Sequence, residues 1–461
     1  MDMRSWKKYT IIYLTIILAP VSLYGQKVKE LDSLMYNGRY FEAKELYRHI
    51  RDILNPSTDL FYKYRMAQFM DKKDSVTIYL EQILSDYPDM FGVQTIDVYS
   101  ILMDTYTTLR NYEKGMFTYQ RMTKHLKENP YGIEKEMLTR WQERTEDRLY
   151  YLKQAVSQPP ITLKRSHTHD SVKIIGDLRP ICTVKYNGVS LRTVLDTGTQ
   201  PYCVMSKKRA EQIGIKYNTS KFNQESLNKA ISTDHAIIDS MAIGNLILYN
   251  IPVDLYEDNI TSHLSDSVKN NPEETALADS SHTNAFLPTI GLPLLKLIGK
   301  LRIDYEKKQM TFPDTDTNHL PKEPNLFIYN RNLYTQLKIN GKDFTSYLGT
   351  GSDTYIDIDT IFYKRYKTHI PIDTITEKPP YDFAMLHQVW NNIPYQLPDK
   401  PILTFNDNLL HPSTKRLVKI DPIRLMWPEE VFDGVIGYPF FKRIGKKVLL
   451  DLENMRLDAE E

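Results

Sequence analysis

The sequence predicts a multidomain α + all-β protein, in which an N-terminal helical repeat array is followed by two pseudo-symmetric β lobes. Apolar residues recur at helical spacing up to about residue 158, and two prolines end that pattern. Beyond the prolines, one order of strands, turns and loops occurs twice along the chain, which indicates a duplication. The length of 461 residues by itself favours roughly three domains.

The charge composition gives no indication of a nucleic-acid partner. Lys and Arg number 59 against 58 Asp and Glu, which leaves a formal net charge of +1, and no long basic run is present. Nucleic-acid-binding domains usually concentrate positive charge on one face. The sequence also has no phosphate-binding glycine loop and no side-chain set at metal-ligand spacing, so no metal and no other cofactor are expected.

Residues 1–25 have the layout of a secretory signal peptide. Basic residues, among them Arg4 and Lys7, precede an apolar run over 9–24. We predict cleavage before Gln26, and hence an exported protein, periplasmic or secreted, without a membrane span. The alternative is an uncleaved membrane anchor, because the apolar run is only somewhat shorter than the roughly 20 residues of a spanning helix.

The two cysteines, Cys182 and Cys203, would then lie in a compartment that permits disulfides. Both occur in apolar, strand-like runs, where a free cysteine often acts as a small core residue. The sequence leaves open whether they pair.

Residues 26–158 show a repeated helical rhythm. Its breaks recur at Tyr40, Asp74 and Tyr112, in steps of 34 and 38 residues. This period is near the 34 residues of tetratricopeptide repeats, so the segment resembles a short array of that kind. A plain helical bundle is the alternative. The array would offer a concave surface to a protein partner or serve as a structural stalk.

After a predicted linker over 159–180, residues 181–312 form the first predicted lobe. Two apolar runs flank Asn187-Gly188, which is a strong hairpin signal, and the second run leads into the sequence LDTGT at 195–199. A third strand should follow this loop.

The rest of the first lobe is predicted in the same way. A short helix should cover 206–213, and a hairpin should cover 237–255. The polar stretch 257–284 is interpreted as a solvated insertion. An apolar-apolar-glycine segment at 289–291 precedes a short helix and a strand, and a second predicted linker covers 313–332.

The second predicted lobe, 333–461, repeats the order of the first. Asn187 lies nine residues before Asp196, and Asn340 lies nine residues before Gly349, so that both pairs share an offset of 153. The apolar-apolar-glycine segment, the short helix and the final strand also recur. The second loop has the sequence LGTGS, with glycine in place of the aspartate.

In these motifs the chain resembles the retropepsin-like aspartic proteases, over 181–312 and 333–457. The resemblance implies two β lobes that face each other across a cleft, with one loop from each lobe at its floor. It also implies a peptide or protein as the substrate or ligand.

The resemblance assigns roles to residues of both loops. Asp196 matches a catalytic aspartate, and Thr197 and Thr350 match the threonines that interlock the two loops. Gly198 and Gly351 match the loop glycines, which let backbone amides approach the carboxylates.

Two further positions follow from the resemblance. Gly349 occupies the degenerate second position of the aspartate dyad, and Asp353 stands where the family has an aspartate that contacts the substrate backbone. The family's chemistry uses two carboxylates that share one proton. With Asp196 alone, we expect impaired hydrolysis. The alternatives are an inactive peptide-binding pseudoprotease and an interaction protein that works through its helical repeats.

The lid over the cleft is also expected to differ from the family pattern. The family closes its cleft with a glycine-bearing hairpin. No glycine occurs over 215–243 or over 352–433. A lid is therefore predicted from 217–232 or from the proline-rich stretch 378–401.

Overall fold

The structure is a computed structural model. It describes residues 25–129, 159–166, 170–217, 234–256, 287–314, 323–352, 355–370, 372–374, 396–398, 402–410, 418–421 and 432–460. The chain divides into two compact units, Met1–Pro159 and Pro160–Glu461. Nearly all of the predicted signal peptide lies outside the described residues. None of the helices within these ranges combines the length and the apolar character that crossing a bilayer requires.

The first unit is helical throughout its described part. Its helices are α1 (25–36), α2 (Tyr40–Ile50), α3 (Pro56–Phe69), α4 (Lys73–Asp86), α5 (Thr95–Thr108) and α6 (Tyr112–Glu128), with short 3-10 turns at Arg51–Ile53 and Gly92–Gln94. Asn55 and Asn111 cap α3 and α6, because each side chain accepts a hydrogen bond from a backbone amide in the first turn. Tyr40, Asp74 and Tyr112 lie in the first turns of α2, α4 and α6.

The second unit is rich in β structure. Its strands as far as the first lobe extends are β1 (Thr162–Arg165), β2 (Val172–Lys173), β3 (Ile181–Tyr186), β4 (Val189–Asp196), β5 (Cys203–Ser206), β6 (Asp234–Ile243), β7 (Leu246–Tyr256), β8 (Thr289–Gly291), β9 (Lys300–Asp304) and β10 (Gln309–Thr311). Two short helices, α7 (Lys207–Gln212) and α8 (Leu292–Ile298), lie between them.

The strands of the second lobe are β11 (Leu326–Tyr329), β12 (Asn332–Ile339), β13 (Lys342–Gly349), β14 (Ile356–Asp359), β15 (Ile372–Thr374), β16 (Gln396–Pro398), β17 (Leu403–Phe405), β18 (Asn408–Leu410), β19 (Val418–Asp421), β20 (Gly434–Gly437), β21 (Lys447–Asp451) and β22 (Arg456–Glu460). Its helices are α9 (Thr360–Tyr366) and α10 (Tyr438–Ile444).

Three sheets are formed by the described strands. The first has the order β1-β7-β5-β8-β4-β3-β6, and the largest has the order β15-β16-β19-β14-β20-β13-β12-β17-β18, with β11 also paired to β12. The third sheet, β2-β10-β9-β21-β22, takes strands from both lobes. Its central pair joins β9 to β21 antiparallel, with Arg302 opposite Leu449. The two lobes therefore share one sheet as well as a continuous hydrophobic core.

The hairpins predicted from turn chemistry are confirmed. Asn187 and Gly188 both have positive φ, +45° and +89°, and they connect β3 to β4. Asn340 and Gly341 adopt the same conformation between β12 and β13. Two successive residues with positive φ are the requirement of the tight hairpin turn that asparagine and glycine favour. The helix predicted over 206–213 is also present as α7, and the hairpin predicted over 237–255 is present as β6 and β7.

The structure differs from the sequence interpretation in the two predicted linkers. The stretch 159–180 contributes β1 and β2, and the stretch 313–332 contributes β11. β1 consists of Thr162–Arg165, with sequence TLKR, and it pairs with β7 at the edge of the first sheet. A short edge strand with charged side chains has little apolar alternation, so it resembles a connector in the sequence.

Cys182 and Cys203 are free thiols inside the core of the first lobe. Burial raises the pKa of each thiol to about 12. Both cysteines therefore act as small apolar core residues in this structure.

Each loop of interest follows a strand that is paired in parallel with an apolar-apolar-glycine strand. β4 pairs with β8, which places Asp196 opposite Gly291. β13 pairs with β20, which places Gly349 opposite Gly437. A Cβ added at Gly291 would lie 2.0 Å from the carbonyl oxygen of Pro201, so the loop passes over this glycine in close contact.

Candidate active site

Asp196 is the last residue of β4, and its half-buried carboxylate is held by three hydrogen bonds. Oδ1 accepts from the backbone amide of Gly198 at 2.8 Å and from that of Gly351 at 2.7 Å. Oδ2 accepts from the hydroxyl of Thr199 at 2.8 Å. One carboxylate thus receives donors from both loops.

Thr197 and Thr350 connect the two loops directly. The Thr197 amide donates to Thr350 Oγ1 at 2.9 Å, and the Thr350 amide donates to Thr197 Oγ1 at 3.1 Å. Each hydroxyl also donates to a carbonyl oxygen of the opposite strand, Thr197 to Leu348 at 2.5 Å and Thr350 to Leu195 at 2.8 Å. Both threonines are buried, at 1% and 2% exposure. These four reciprocal hydrogen bonds fix the two strand ends against each other.

Gly198 and Gly351 leave room for the carboxylate. A Cβ added at Gly351 would lie 2.4 Å from Cγ of Asp196. A Cβ added at Gly198 would lie 3.0 Å from Oδ1 of Asp196 and 2.5 Å from the hydroxyl oxygen of Tyr347. A side chain at position 351 would displace the Asp196 carboxylate, and a side chain at position 198 would collide first with the Tyr347 hydroxyl.

Gly349 is buried at the end of β13 and supplies no acid or base. A Cβ added there would lie 3.1 Å from Cε1 of Tyr347, so the tyrosine ring borders the space where a side chain would begin. The structure therefore brings Asp196, Thr197, Gly198, Thr350 and Gly351 together with the glycine at position 349. Asp353 lies outside the described residues, as do almost all of the two predicted lid segments.

Tyr347 is a residue of the site that the sequence interpretation missed. Its ring contacts those of Tyr334, with centroids 5.9 Å apart, and Phe432, with centroids 6.4 Å apart. Desolvation, followed by the negative charge of Asp196, raises the pKa of the Tyr347 hydroxyl above its ordinary value of 10.0. The hydroxyl therefore keeps its proton at neutral pH and can donate a hydrogen bond.

The offset of 153 residues between the two loop sequences could have drawn attention to Tyr347. At an offset of 153 residues, Tyr347 corresponds to Val194, just as Gly349 corresponds to Asp196. At this offset, the second loop has glycine in place of the aspartate and tyrosine in place of the valine two residues earlier.

Two ion pairs lie where β6 begins, at the end of the predicted lid segment. Lys207 Nζ lies 2.7 Å from Asp234, and His235 Nδ1 lies 2.8 Å from Asp254. The hydrogen bond to Asp254 raises the pKa of His235 above its ordinary value of 6.5. Among the described residues, no group of three or more His, Cys, Asp or Glu side chains is arranged to hold a metal ion.

The site thus combines a loop aspartate at a strand end, held by two glycine amides and one threonine hydroxyl, with two other threonines that link the loops. Residues 182–268 match the family described as aspartyl protease. This part of the β-rich unit is therefore similar to the aspartyl proteases.

Other comparisons add less. Comparison with proteins of curated function gives no match. A similar solved structure is a retropepsin-like aspartic protease from Rickettsia conorii, with 16% sequence identity over 33% of this chain and 92% of that chain. Its TM-score is 0.19. A score of this size carries no argument for a shared overall arrangement.

Proposed function

We propose that the β-rich unit binds an extended peptide or protein segment and hydrolyses it through Asp196, with activity impaired because the second aspartate is replaced by Gly349. The observation that carries this proposal is the position of Asp196. Its carboxylate is held by amides of both loops and by Thr199, at the point where the family binds its attacking water.

The chemistry explains why the activity should be low. In a site with two carboxylates, one is ionised and accepts a proton from water, while the other is protonated and polarises the scissile carbonyl. Asp196 alone serves only one of these functions at a time. Because a single general acid or base typically contributes a factor of about 10² to 10⁴, hydrolysis far below that of a complete dyad is expected.

Pseudo-symmetry between the lobes is part of the proposal. It is supported by the parallel pairing of β4 with β8 and of β13 with β20, which is the same arrangement in each lobe. It is also supported by the pair Arg302 and Leu449, which occupy corresponding positions of the two copies and face each other in the shared sheet. The substrate would lie across this axis, in contact with both loops.

Other parts of the chain complete the proposed function. We place Asp353 beside the substrate backbone, and we place the lid in 217–232 or 378–401. The start of helices α2, α4 and α6 at the sequence repeats supports a tetratricopeptide-like array that binds a protein partner. The basic and apolar pattern of 1–25 supports export to the periplasm or the exterior.

A second candidate function is peptide binding without cleavage. It is favoured by the hydrogen bonds of Asp196, which join the two loops and would hold the cleft in shape without any chemistry. Extended peptides bind such clefts by adding a strand to an exposed sheet edge.

One experiment separates the two functions. The purified protein is incubated with a peptide library between about pH 3 and pH 8, beside Asp196→Asn and the control Asp304→Asn, which alters a turn aspartate of β9 that accepts from the Lys307 amide. Cleavage by the parent and the control, but not by Asp196→Asn, is expected. Cleavage that persists in Asp196→Asn would contradict the proposal, and binding without any cleavage would favour the second function.

A further inference from the structure

The inference concerns Tyr347 and rests on the proposed function. Tyr347 lies two residues before Gly349 on β13, and alternate residues of a strand point to the same face. The ring is thus on the face from which a second aspartate would project. Its Cε1 lies 3.1 Å from the point that a Cβ at Gly349 would occupy. A phenol borders the place of the missing carboxyl group.

The hydroxyl of Tyr347 and the carboxylate of Asp196 border one common space. The point that a Cβ at Gly198 would occupy is 2.5 Å from the Tyr347 hydroxyl oxygen and 3.0 Å from Asp196 Oδ1. The distance between the Tyr347 hydroxyl oxygen and Asp196 Oδ1 is therefore at most the sum of these two distances. Two O–H···O hydrogen bonds of about 2.7–2.8 Å in series span the same distance. One ligand oxygen can reach both groups.

The chemical states of the two groups are complementary. The phenol keeps its proton, because burial and the charge of Asp196 both oppose its ionisation. The rings of Tyr334 and Phe432 hold it in place by packing. A fixed neutral donor beside a carboxylate offers an acid and a base function, which the family obtains from two aspartates.

We propose that Tyr347 takes the place of the missing aspartate as the electrophilic group of the reaction. Its hydroxyl donates a hydrogen bond to the scissile carbonyl oxygen, while Asp196 accepts a proton from the attacking water. The water oxygen bonds to the carbonyl carbon, and the electron pair of the C=O bond moves to the oxygen held by Tyr347. When the C–N bond breaks, Asp196 returns its proton to the leaving amine. Water is the only reagent consumed.

The test compares Tyr347→Phe with Tyr355→Phe. The first change removes the hydroxyl oxygen and keeps the ring that packs on Tyr334 and Phe432. The control removes another tyrosine hydroxyl of the same lobe, which is buried and has no hydrogen-bond partner among the described residues. Melting curves of the full chain verify that both variants are folded.

Two measurements are made on each protein. The first is kcat and KM on the peptide that the parent cleaves best. Removal of one oxyanion donor costs about 10²–10³ in kcat, so Tyr347→Phe should lower kcat by about 100-fold with little change in KM. The second is calorimetric binding of the same peptide, or of the library peptide that the parent binds most tightly where none is cleaved, with a hydroxyethylene group or an ethylene group in place of one amide. Tyr347→Phe should weaken only the hydroxyl-bearing peptide, by about 10-fold.

The outcomes distinguish this inference from the proposed function. If the parent cleaves peptides and Tyr347→Phe has the kcat and the peptide discrimination of the parent, the role of Tyr347 is overturned and the proposed function stands. If the parent cleaves nothing and does not prefer the hydroxyl-bearing peptide, both are overturned. A Tyr347→Phe that fails to fold is replaced by Tyr347→Met, which also lacks the hydroxyl and leaves the loop of Asp196 unchanged. This variant should lose the same discrimination, and its retention would overturn the inference.

Discussion

The amide of Gly351 donates a hydrogen bond to Oδ1 of Asp196 at 2.7 Å, although the two residues are 155 positions apart. In the tandem arrangement this amide belongs to the loop whose own aspartate is absent. The Asp196 carboxylate therefore accepts a hydrogen bond from the second loop. It connects the two loops and is also the candidate catalytic group.

This relationship predicts the effect of Gly351→Ala. The new methyl group would lie 2.4 Å from Cγ of Asp196, so the carboxylate must move and its hydrogen bond to the second loop should be lost. We expect loss of peptide cleavage and a decrease of about 1–3 kcal/mol in the free energy of unfolding, measured by urea denaturation.

The control for this variant is Gly188→Ala. Its methyl group meets open space, but the φ of +89° disfavours any side chain. It should cost about 1–2 kcal/mol and leave cleavage unchanged. Normal cleavage by Gly351→Ala would contradict the contact on which the prediction depends.

Thr350→Val should weaken the connection between the lobes. The change keeps the shape of the side chain and removes a buried hydroxyl that accepts from the Thr197 amide and donates to the Leu195 carbonyl. Each unsatisfied buried group costs about 1–3 kcal/mol, so a loss of about 2–4 kcal/mol is expected in urea unfolding of the β-rich unit.

Thr311→Val is the matched control. The Thr311 hydroxyl is buried and has no hydrogen-bond partner among the described residues. Its replacement by a methyl group should be neutral or slightly stabilising. If the two valine substitutions change the free energy of unfolding equally, the hydrogen bonds of the Thr350 hydroxyl do not stabilise the fold.

The features that the sequence predicts well are those with a local cause. The turns at Asn187 and Asn340 follow from residues that tolerate positive φ, and α7 follows from Ser206 as its cap and Gly214 as its end. The loop containing Asp196 is found because its pattern lies in consecutive residues and recurs at a constant offset.

The features that the sequence does not reveal depend on distant partners. β1 is a strand because β7 pairs with it, and nothing within TLKR specifies that pairing. The proximity of Tyr347 to Asp196 arises only when the two lobes meet, because the offset of 153 residues relates Tyr347 to Val194 and not to Asp196. The hydrogen bond from Gly351 to Asp196 depends on the same meeting of the lobes.

His235→Gln should destabilise the protein mainly at acidic pH. The hydrogen bond to Asp254 raises the pKa of His235 above 6.5, so the folded state favours protonated histidine. The resulting stabilisation is complete below the pKa of the unfolded chain and disappears as the pH rises through the raised pKa of the folded state. Because the histidine side chain is 30% exposed, the loss below about pH 6 should be about 1 kcal/mol or less.

The measurement is urea unfolding of the β-rich unit at about pH 5.5 and pH 9 for the parent and for His235→Gln. Asp254→Asn is the partner control, because it should remove the same pH-dependent contribution from the other side of the pair. A destabilisation by His235→Gln that is equal at both pH values would assign it to packing and not to the charged hydrogen bond.

An aspartate at position 349 should contribute to hydrolysis only when position 347 is also substituted. An aspartate at position 349 would place its Cβ 3.1 Å from Cε1 of Tyr347, so the ring must shift before a carboxyl group fits beside Asp196. Gly349→Asp alone should therefore destabilise the β-rich unit by about 1–3 kcal/mol, as overpacked cores do, and should gain little hydrolysis.

The first loop indicates the second substitution, because Val194 stands two residues before Asp196. Gly349→Asp combined with Tyr347→Val should recover the lost stability and raise kcat/KM above that of the parent, whereas Tyr347→Val alone should be less active than the parent. Assays of the four proteins on one peptide, with urea unfolding in parallel, complete the cycle. A single Gly349→Asp variant that matches the double variant in both stability and activity would mean that Tyr347 does not obstruct the second carboxylate.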